Sequence, residues 1–571
     1  MTPAGEPARR FQTPKINTET GMATHPGQTA DAPAADTAHF DAVVVGAGFG
    51  GMYMLHRLRG MGLRVRVIEA ADDVGGTWNW NRYPGARCDV ESLEYSYSFS
   101  EDLQQEWTWS ERFASQPEIL AYARHVADRF DLRRDIRFGT RVRSAHYDEA
   151  RAQWAISTDR GPSLRARFCI MATGCLSLPR MPDFPGRDRF RGRLLHTATW
   201  PHEPVDFTGL RVGVIGTGSS GIQVIPMIAR QAAHLHVFQR TPNFSLPSGN
   251  RPLPADEVAR FKARYPEVRE KARHAPAGIA GMPAPDRGAL DDPEERRREV
   301  YEAAWRNGST GLTRAYNNLL MDEAANATAA EFVREKIRAI VRDPAVAERL
   351  TPRDHFIGTK RICLDSGYFQ TFNQPNVTLV SLRETPIEGI TETGIRTTRE
   401  DIALDAIVFA TGFDAITGAL LDIDIRGRQG LSLSEKWRGG PRTYLGLMTA
   451  GFPNLFSITG PGSPSVLTNM ITSIEQHVDW IARCIQALGE RGARSIEAQT
   501  DAEERWVAHV NAVADQTLFP RANSWYVGAN LPGKPRVFMP YVGGLGVYRR
   551  RCDEVAERGY EGFILEPASA A

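Results

Sequence analysis

Two G-x-G-x-x-G turns, each fed by a β-branched strand and followed by an apolar helical stretch, constrain this chain more than any other feature. Gly46, Gly48 and Gly51 lie in "FDAVVVGAGFGGMYMLHRLRGMGLRVRVIEA", and Gly216, Gly218 and Gly221 in "LRVGVIGTGSSGIQVIPMIARQAAHLHVFQRTPNF". In a strand–turn–helix–strand unit the first glycine permits the tight turn, the second lets backbone approach a pyrophosphate, and the third lets helix pack on strand. The helix N-terminus then offers N–H groups and its positive pole to the anion. The two units end differently. The first finishes in Glu69, a carboxylate placed to accept hydrogen bonds from ribose hydroxyls. The second finishes in Arg240-Thr241, where a guanidinium suits a 2′-phosphate. The pair predicts FAD or NAD at the first cradle and NADP(H) at the second.

Two further turns, "CIMATG" (Cys169–Gly174) and "AIVFATGFD" (Ala406–Asp414), read as buried strands entering a glycine turn. With two cradles, they mark where the chain passes between domains. The predicted fold class is α/β, with two Rossmann-like dinucleotide-binding domains, each discontinuous, and an inserted helical subdomain. The segments are a disordered tail over 1–38, flavin domain over 39–176, nicotinamide domain over 177–241, and helical insertion over 242–355. The nicotinamide domain resumes over 356–412 and the flavin domain over 413–571. In the insertion, Phe332, Val333, Ile337, Ile340 and Val341 fall on one helical face. "EERRRE" reads as a solvated helix face, and the Gly/Pro-rich "APAGIAGMPAPDRGALDDP" as a surface loop.

A formal net charge of +1 gives no footprint for nucleic acid or an anionic membrane. No apolar run is long enough to span a bilayer, and no export signal opens the chain, so a soluble cytoplasmic protein is expected. The six cysteines show neither a redox-pair nor a metal-ligand spacing, so reduced thiols and no metal site are expected, with Cys169 and Cys175 buried.

Two more stretches carry a resemblance. "GGTWNWNRYPGARCD" (Gly75–Asp89) and "FRGRLLHTATWP" (Phe190–Pro201) resemble the paired signatures of the type I Baeyer–Villiger monooxygenases. "GTKRICLDSGYF", "ATGFDAITGAL", "GPGSPSVLTNMITSIEQHVDW" and "NSWYVGANLPGKPRVF" extend the likeness to nearly everything after residue 38, most strongly to the phenylacetone and steroid monooxygenase branch. The resemblance implies FAD, NADPH and O₂. A peroxide anion at flavin C4a attacks a ketone carbonyl, and one oxygen atom is inserted to give an ester or lactone.

By that resemblance Arg361 is the active-site arginine and Asp89 the carboxylate that holds it. A permanent cation there keeps the peroxide deprotonated and stabilises the alkoxide of the adduct. Flavin contacts fall at Gly46, Gly48, Phe49, Gly50, Gly51, Glu69, Gly76, Thr77, Trp78, Asp89, Tyr95, Val142 and Met470. Nicotinamide-nucleotide contacts fall at Gly216, Thr217, Gly218, Ser219, Ser220, Gly221, Arg240, Thr241, Lys360, Arg361 and Trp525. Lys360 joins Arg240 and Thr241 around the 2′-phosphate, and the Trp525 indole N–H bonds the cofactor. The Phe190–Pro201 motif is the hinge between the two domains. Gly192 permits the bend, Phe190 and Trp200 anchor its ends by burial, Pro201 completes the motif, and His196 supplies contacts that exchange as the domains shift.

Three other readings compete. An N- or S-oxygenating flavin enzyme would use a protonated hydroperoxide and lack the Arg361–Asp89 pair. A disulfide reductase needs a cysteine pair beside the flavin, and Cys88 has no partner at suitable spacing. A flavin-binding redox sensor would bind without turnover. The expected partners are a small ketone and O₂, with no nucleic acid, membrane or protein. Aryl, cyclic, steroid and other polycyclic ketones are all compatible with the sequence.

Overall fold

The computed structural model describes residues 38–281 and 285–567. The tail expected over 1–38 lies outside them, except for Ala38, which already opens the first strand. That strand, Ala38–Val45, has Val43 and Val44 fully covered. A β-branched run buried on both faces suits a central parallel strand, and it lies between Val65–Ile68 and Leu164–Met171, parallel to both. The eight-stranded sheet runs Asp424–Arg426, Val142–Asp148, Gln153–Thr158, Leu164–Met171, Ala38–Val45, Val65–Ile68 and Ile136–Arg137. Its eighth strand, Leu455–Ser457, joins from far along the chain. Leu164–Met171 changes neighbour midway: its first half pairs antiparallel with Gln153–Thr158, its second half parallel with Leu455–Ser457. Helix Met470–Glu490 packs on helix Phe49–Gly60, where the Tyr53 hydroxyl donates to Asp479 at 2.8 Å.

The second sheet has five parallel strands, in the order Val377–Ser381, His234–Gln239, Arg211–Ile215, Ala406–Phe409 and Arg193–His196. A three-stranded antiparallel sheet, Ile387–Ala403, sits against it. Both Thr-Gly turns stand at the crossings between the bodies, with Gly174 at φ 75° and Gly412 at φ 79°, a conformation glycine adopts without strain. The crossings also pair with each other. Arg180 N–H donates to Gly412 O, and Asp414 N–H to Leu178 O, both at 2.9 Å.

The helical insertion is present but divides between two cores. Helices Ala255–Lys262 and Tyr265–His274 dock on the body of the eight-stranded sheet. There the buried Arg269 donates to Leu93 O, Glu94 O and Ser96 Oγ, at 2.6–3.3 Å. Tyr301, Tyr316, Phe332, Val333 and Ile337 instead join the core of the five-stranded body. The Gly/Pro-rich stretch, of which residues 282–284 lie outside the described ones, is a loop with Pro276, Gly281, Asp286, Arg287 and Leu290 exposed, but part of it is drawn inward. Ala277 and Ala289 are buried, and the covered Glu94 carboxylate accepts the Ala280 N–H at 2.7 Å. Small residues at the covered positions permit close packing.

Candidate active site

The first cradle is built around backbone that no side chain could replace. Gly46 has φ 104°, and a Cβ on Gly51 would collide with the Gly46 carbonyl oxygen. The Gly75-Gly76 turn closes over it: Gly75 N–H donates to Ala47 O at 3.1 Å, and a Cβ on Gly76 (φ 51°) would stand 2.9 Å from Gly48 Cα. Glu69 is buried, its carboxylate accepting N–H groups from Ala47 (2.6 Å) and Ala71 (2.7 Å). Burial pushes this carboxyl up while those donors pull against it. Each oxygen retains a lone pair, so the residue is oriented by backbone before it meets any hydroxyl.

Phe49, Trp78 and Tyr95 converge beside this turn. Trp78 donates its indole N–H to Tyr95 Oη at 3.2 Å, and the Phe49 and Tyr95 rings meet edge to face at 6.1 Å. Gly50 abuts Ile458, Thr77 is exposed, and Met470 is half-buried at the start of its helix. Val142 faces the core under the sheet, two residues past Thr140, whose N–H donates to Glu69 O at 2.9 Å.

The second cradle repeats the pattern. Gly216 has φ 111°, a Cβ on Gly221 would collide with Gly216 O, and the space over Gly218 is open. Ser219 begins the helix with Ser220 and accepts a thiol hydrogen bond from Cys363 at 3.1 Å. Thr217 donates to Thr241 O at 3.0 Å, setting the turn against the end of the next strand. Arg240 and Lys360 lie close enough there for their charges to oppose each other. Burial lowers the Lys360 pKa, Asp354 opposes this, and Arg240 adds to it. Arg180 feels Arg240 too, after burial. Cations held together in this way suit a dianion. Both cradles thus fit a dinucleotide, the second one carrying a phosphate.

Arg361 and Asp89 lie 272 positions apart and form a bidentate pair. Nε and Nη2 donate to Asp89 Oδ2 and Oδ1 at 2.8 and 2.7 Å, and Nη1 donates to Val466 O at 2.8 Å. Burial pulls the guanidinium pKa down, but Asp89, together with Tyr526 and Cys88, outweighs burial and leaves the pKa above its ordinary value. The pair joins the two bodies, and other contacts do the same beside it. Tyr83 Oη donates to Gln223 Oε1 at 2.8 Å, Gln223 Nε2 donates to Arg87 O at 3.0 Å, and a Cβ on Gly85 would strike Gln223 O. Sequence reasoning missed Tyr526, a buried phenol that faces the Arg361–Asp89 pair and has its pKa raised to about 12 by burial. Its position next to Trp525 was the available signal. Trp525 is half-buried, its ring 4.2 Å from that of Tyr526.

His196 is buried at the end of its strand and touches both crossings. Its Nδ1 accepts the Ala198 N–H at 3.0 Å. Nε2 therefore carries the proton, facing Arg180 O at 3.1 Å and Thr411 Oγ1 at 3.2 Å. Burial lowers its pKa, so the ring is neutral and serves as a polar clasp. Phe190 and Trp200 are buried, in different clusters, and Pro201 follows Trp200 into a loop. Gly192 lies at a bend but without a positive φ. Its glycine is required instead by space, since a Cβ would run into Asp405 O and the Phe190 ring. The six cysteines are all buried and unpaired, and the described residues hold no metal-binding cluster. No helix among the described residues is long and apolar enough to cross a membrane.

Comparison with known proteins places this geometry. The pyridine nucleotide-disulphide oxidoreductase family matches residues 43–255, which hold both cradles. A Baeyer–Villiger monooxygenase of Pseudooceanicola batsensis is 44% identical over 533 residues, 93% of this chain and 97% of the relative. The phenazine N-monooxygenase PhzNO1 of Lysobacter antibioticus is 42% identical over 542 residues, 94% of this chain and 99% of its own. The structure of an oxidised steroid monooxygenase bound to NADP superposes with a TM-score of 0.89 at 56% identity, covering 93% of this chain and all of the other. With cradles, ion pair and full-length likeness together, the chain belongs to the Baeyer–Villiger monooxygenase family.

Proposed function

We propose that this chain is an FAD-containing, NADPH- and O₂-consuming enzyme that inserts one oxygen atom beside the carbonyl of a ketone, giving an ester or lactone. The observation that carries the reading is the Arg361–Asp89 pair, a permanent cation held by two hydrogen bonds where the two cradles meet. When bound, the flavin supplies oxygen activation and the nicotinamide supplies hydride. The first cradle, with Glu69, Gly76, Thr77, Trp78 and Tyr95, would hold FAD. The second, with Arg240, Thr241 and Lys360, would hold NADPH, and Trp525 would border its nicotinamide.

The protein's own contribution is electrostatic. Asp89 fixes the guanidinium plane, so Arg361 meets negative charge on a ketone oxygen without reorganising. The guanidinium cannot lose its proton at any working pH. His196 ties both crossings to one ring, and we assign the Phe190–Pro201 motif as the hinge on which the bodies turn between hydride transfer and substrate entry. The test is a ketone panel with NADPH consumption and product mass. A gain of one oxygen atom, coupled to NADPH use only when ketone is present, supports the reading, whereas ketone-independent NADPH use with no oxygenated product refutes it. The likeness to an N-oxygenating relative makes nitrogen heteroaromatics the second arm of the panel.

A further inference from the structure

A cavity of about 320 Å³ opens on the eight-stranded body, where helix Met470–Glu490 runs into the next strand. Arg151, Arg167 and Arg494 line it, with Gln153, Leu488 and Ala493 between them. The three arginines come from three elements. Arg151 lies in the turn between strands Val142–Asp148 and Gln153–Thr158, Arg167 in strand Leu164–Met171, and Arg494 in strand Ala493–Ala498. No carboxylate and no cradle residue is among the described residues that line it.

Arg167 is held rigidly but not neutralised. Its Nε donates to Arg494 O at 3.1 Å and its Nη2 to Ala493 O, while the guanidinium lies over the Phe168 ring, 4.6 Å from the centroid. Asp41 reaches it only from beyond ion-pair distance, and that carboxylate already accepts the Arg64 N–H at 2.7 Å. Arg151 and Arg494 do have acidic partners, Asp148 at 2.9 Å and Glu566 at 3.3 Å. Asp148 is shared with Arg165 and Glu566 with Arg428, so neither has charge to spare for Arg167. The negative pole of the helix amounts to about half an elementary charge, less than the one guanidinium left over. A preorganised cation in a concave site without a counter-charge is built to receive an anion.

We infer that this cavity binds a small phosphorylated molecule, separately from both dinucleotide cradles, with Arg167 on the phosphate and Arg151 and Arg494 closing around it. Guanidinium forks match phosphate oxygens two at a time, and the volume lies at the lower end of small-ligand pockets. The inference stands apart from the ketone-oxygenating reading. It has a structural consequence, because strand Leu164–Met171 runs directly into Ala172, whose carbonyl would stand 2.6 Å from a Cβ on Gly46. A ligand on Arg167 therefore braces the strand against which the first cradle is built.

The test is calorimetric titration of inorganic pyrophosphate into the FAD-loaded protein saturated with NADP⁺, so that both cradles are filled. Wild type should bind one pyrophosphate per chain, and its thermal midpoint should rise with pyrophosphate concentration. Arg167→Gln should weaken binding by about 10-fold or more, and Arg151→Gln by about 3-fold or more. Arg151→Lys should recover part of the loss. Arg167 also ties down two backbone carbonyls, so its replacement could shift the strand; the Arg151 side chain is 64% exposed, and its variants keep the test decisive. No binding to the saturated protein overturns the proposal, as does equal affinity in wild type, Arg167→Gln and Arg151→Gln. Release of NADP⁺ by pyrophosphate overturns it too, by giving the anion to the second cradle. So does co-sedimentation with phosphatidylglycerol vesicles that Arg151→Gln abolishes while pyrophosphate does not bind, which would make the patch a membrane contact.

Discussion

Replacing Asp89 with Asn alters one acceptor and one charge while keeping the side chain's shape. In the native pair Arg361 Nε and Nη2 each have a carboxylate oxygen, at 2.8 and 2.7 Å. The amide offers one oxygen and turns an NH₂ toward a cation, leaving Val466 O as the second good acceptor. Breaking a buried ion pair on one side costs about 3–5 kcal/mol. With the side chains 30% and 24% exposed, water recovers part of this, which places the loss at about 2–3 kcal/mol. If the loss appears as misorientation of Arg361 in the oxygen-inserting step, kcat for ester formation falls by about 30- to 150-fold. Stopped-flow measurement separates flavin reduction by NADPH from oxygen insertion, and product formed per NADPH consumed reports coupling. We expect reduction to persist and coupling to fall in a variant with full flavin content. Ester formation at the wild-type rate and coupling in Asp89→Asn would refute the electrostatic role given to this pair.

Gly51→Ala should yield protein with little bound flavin, read from the visible absorbance of the purified chain, because the new Cβ meets the Gly46 carbonyl oxygen. Arg240→Ala should raise KM for NADPH by about 10-fold or more and that for NADH far less, since a charge-assisted phosphate contact is lost; equal effects on both nucleotides would count against the 2′-phosphate site. His477 is fully buried with its pKa lowered to about 3 by burial. The unfolded chain binds this proton near pH 6.5 and the folded one resists, so stability is full above 6.5 and falls as pH drops toward 3. Denaturant midpoints across that window should decline in wild type and decline less steeply in His477→Gln.

What the sequence made legible was local in chain and periodic in pattern. The strands before Gly46 and Gly216, the glycine spacings and the final Glu69 and Arg240 all lie within about one βαβ unit, and the observed backbone follows them. The pairing of Asp89 with Arg361 came from family likeness, because 272 intervening positions carry no periodic signal. Contacts across the two bodies were not legible for the same reason. Gln223 reads as one helical polar residue, yet its side chain spans Tyr83 and Arg87. Gly192 was assigned to a bend from its type, whereas the demand on it is set by Asp405 O, more than 200 positions later. The insertion shows amphipathic helices in its sequence, but the helices alone do not say that Arg269 is drawn to one core and Phe332 to the other.

The late arrival of Leu455–Ser457 in the first sheet has a consequence for biosynthesis. Its partner residues, Cys169 to Met171, leave the ribosome 286 positions earlier. At about 5–20 residues per second, the interval is on the order of 15–60 s. Throughout it the five strands of the other sheet, all within residues 193–409, emerge as a set able to assemble first. The nascent N-terminal sheet meanwhile keeps an open edge, which makes it the natural client of a chaperone. The first cradle's helix, Phe49–Gly60, is then covered only late, when helix Met470–Glu490 docks on it.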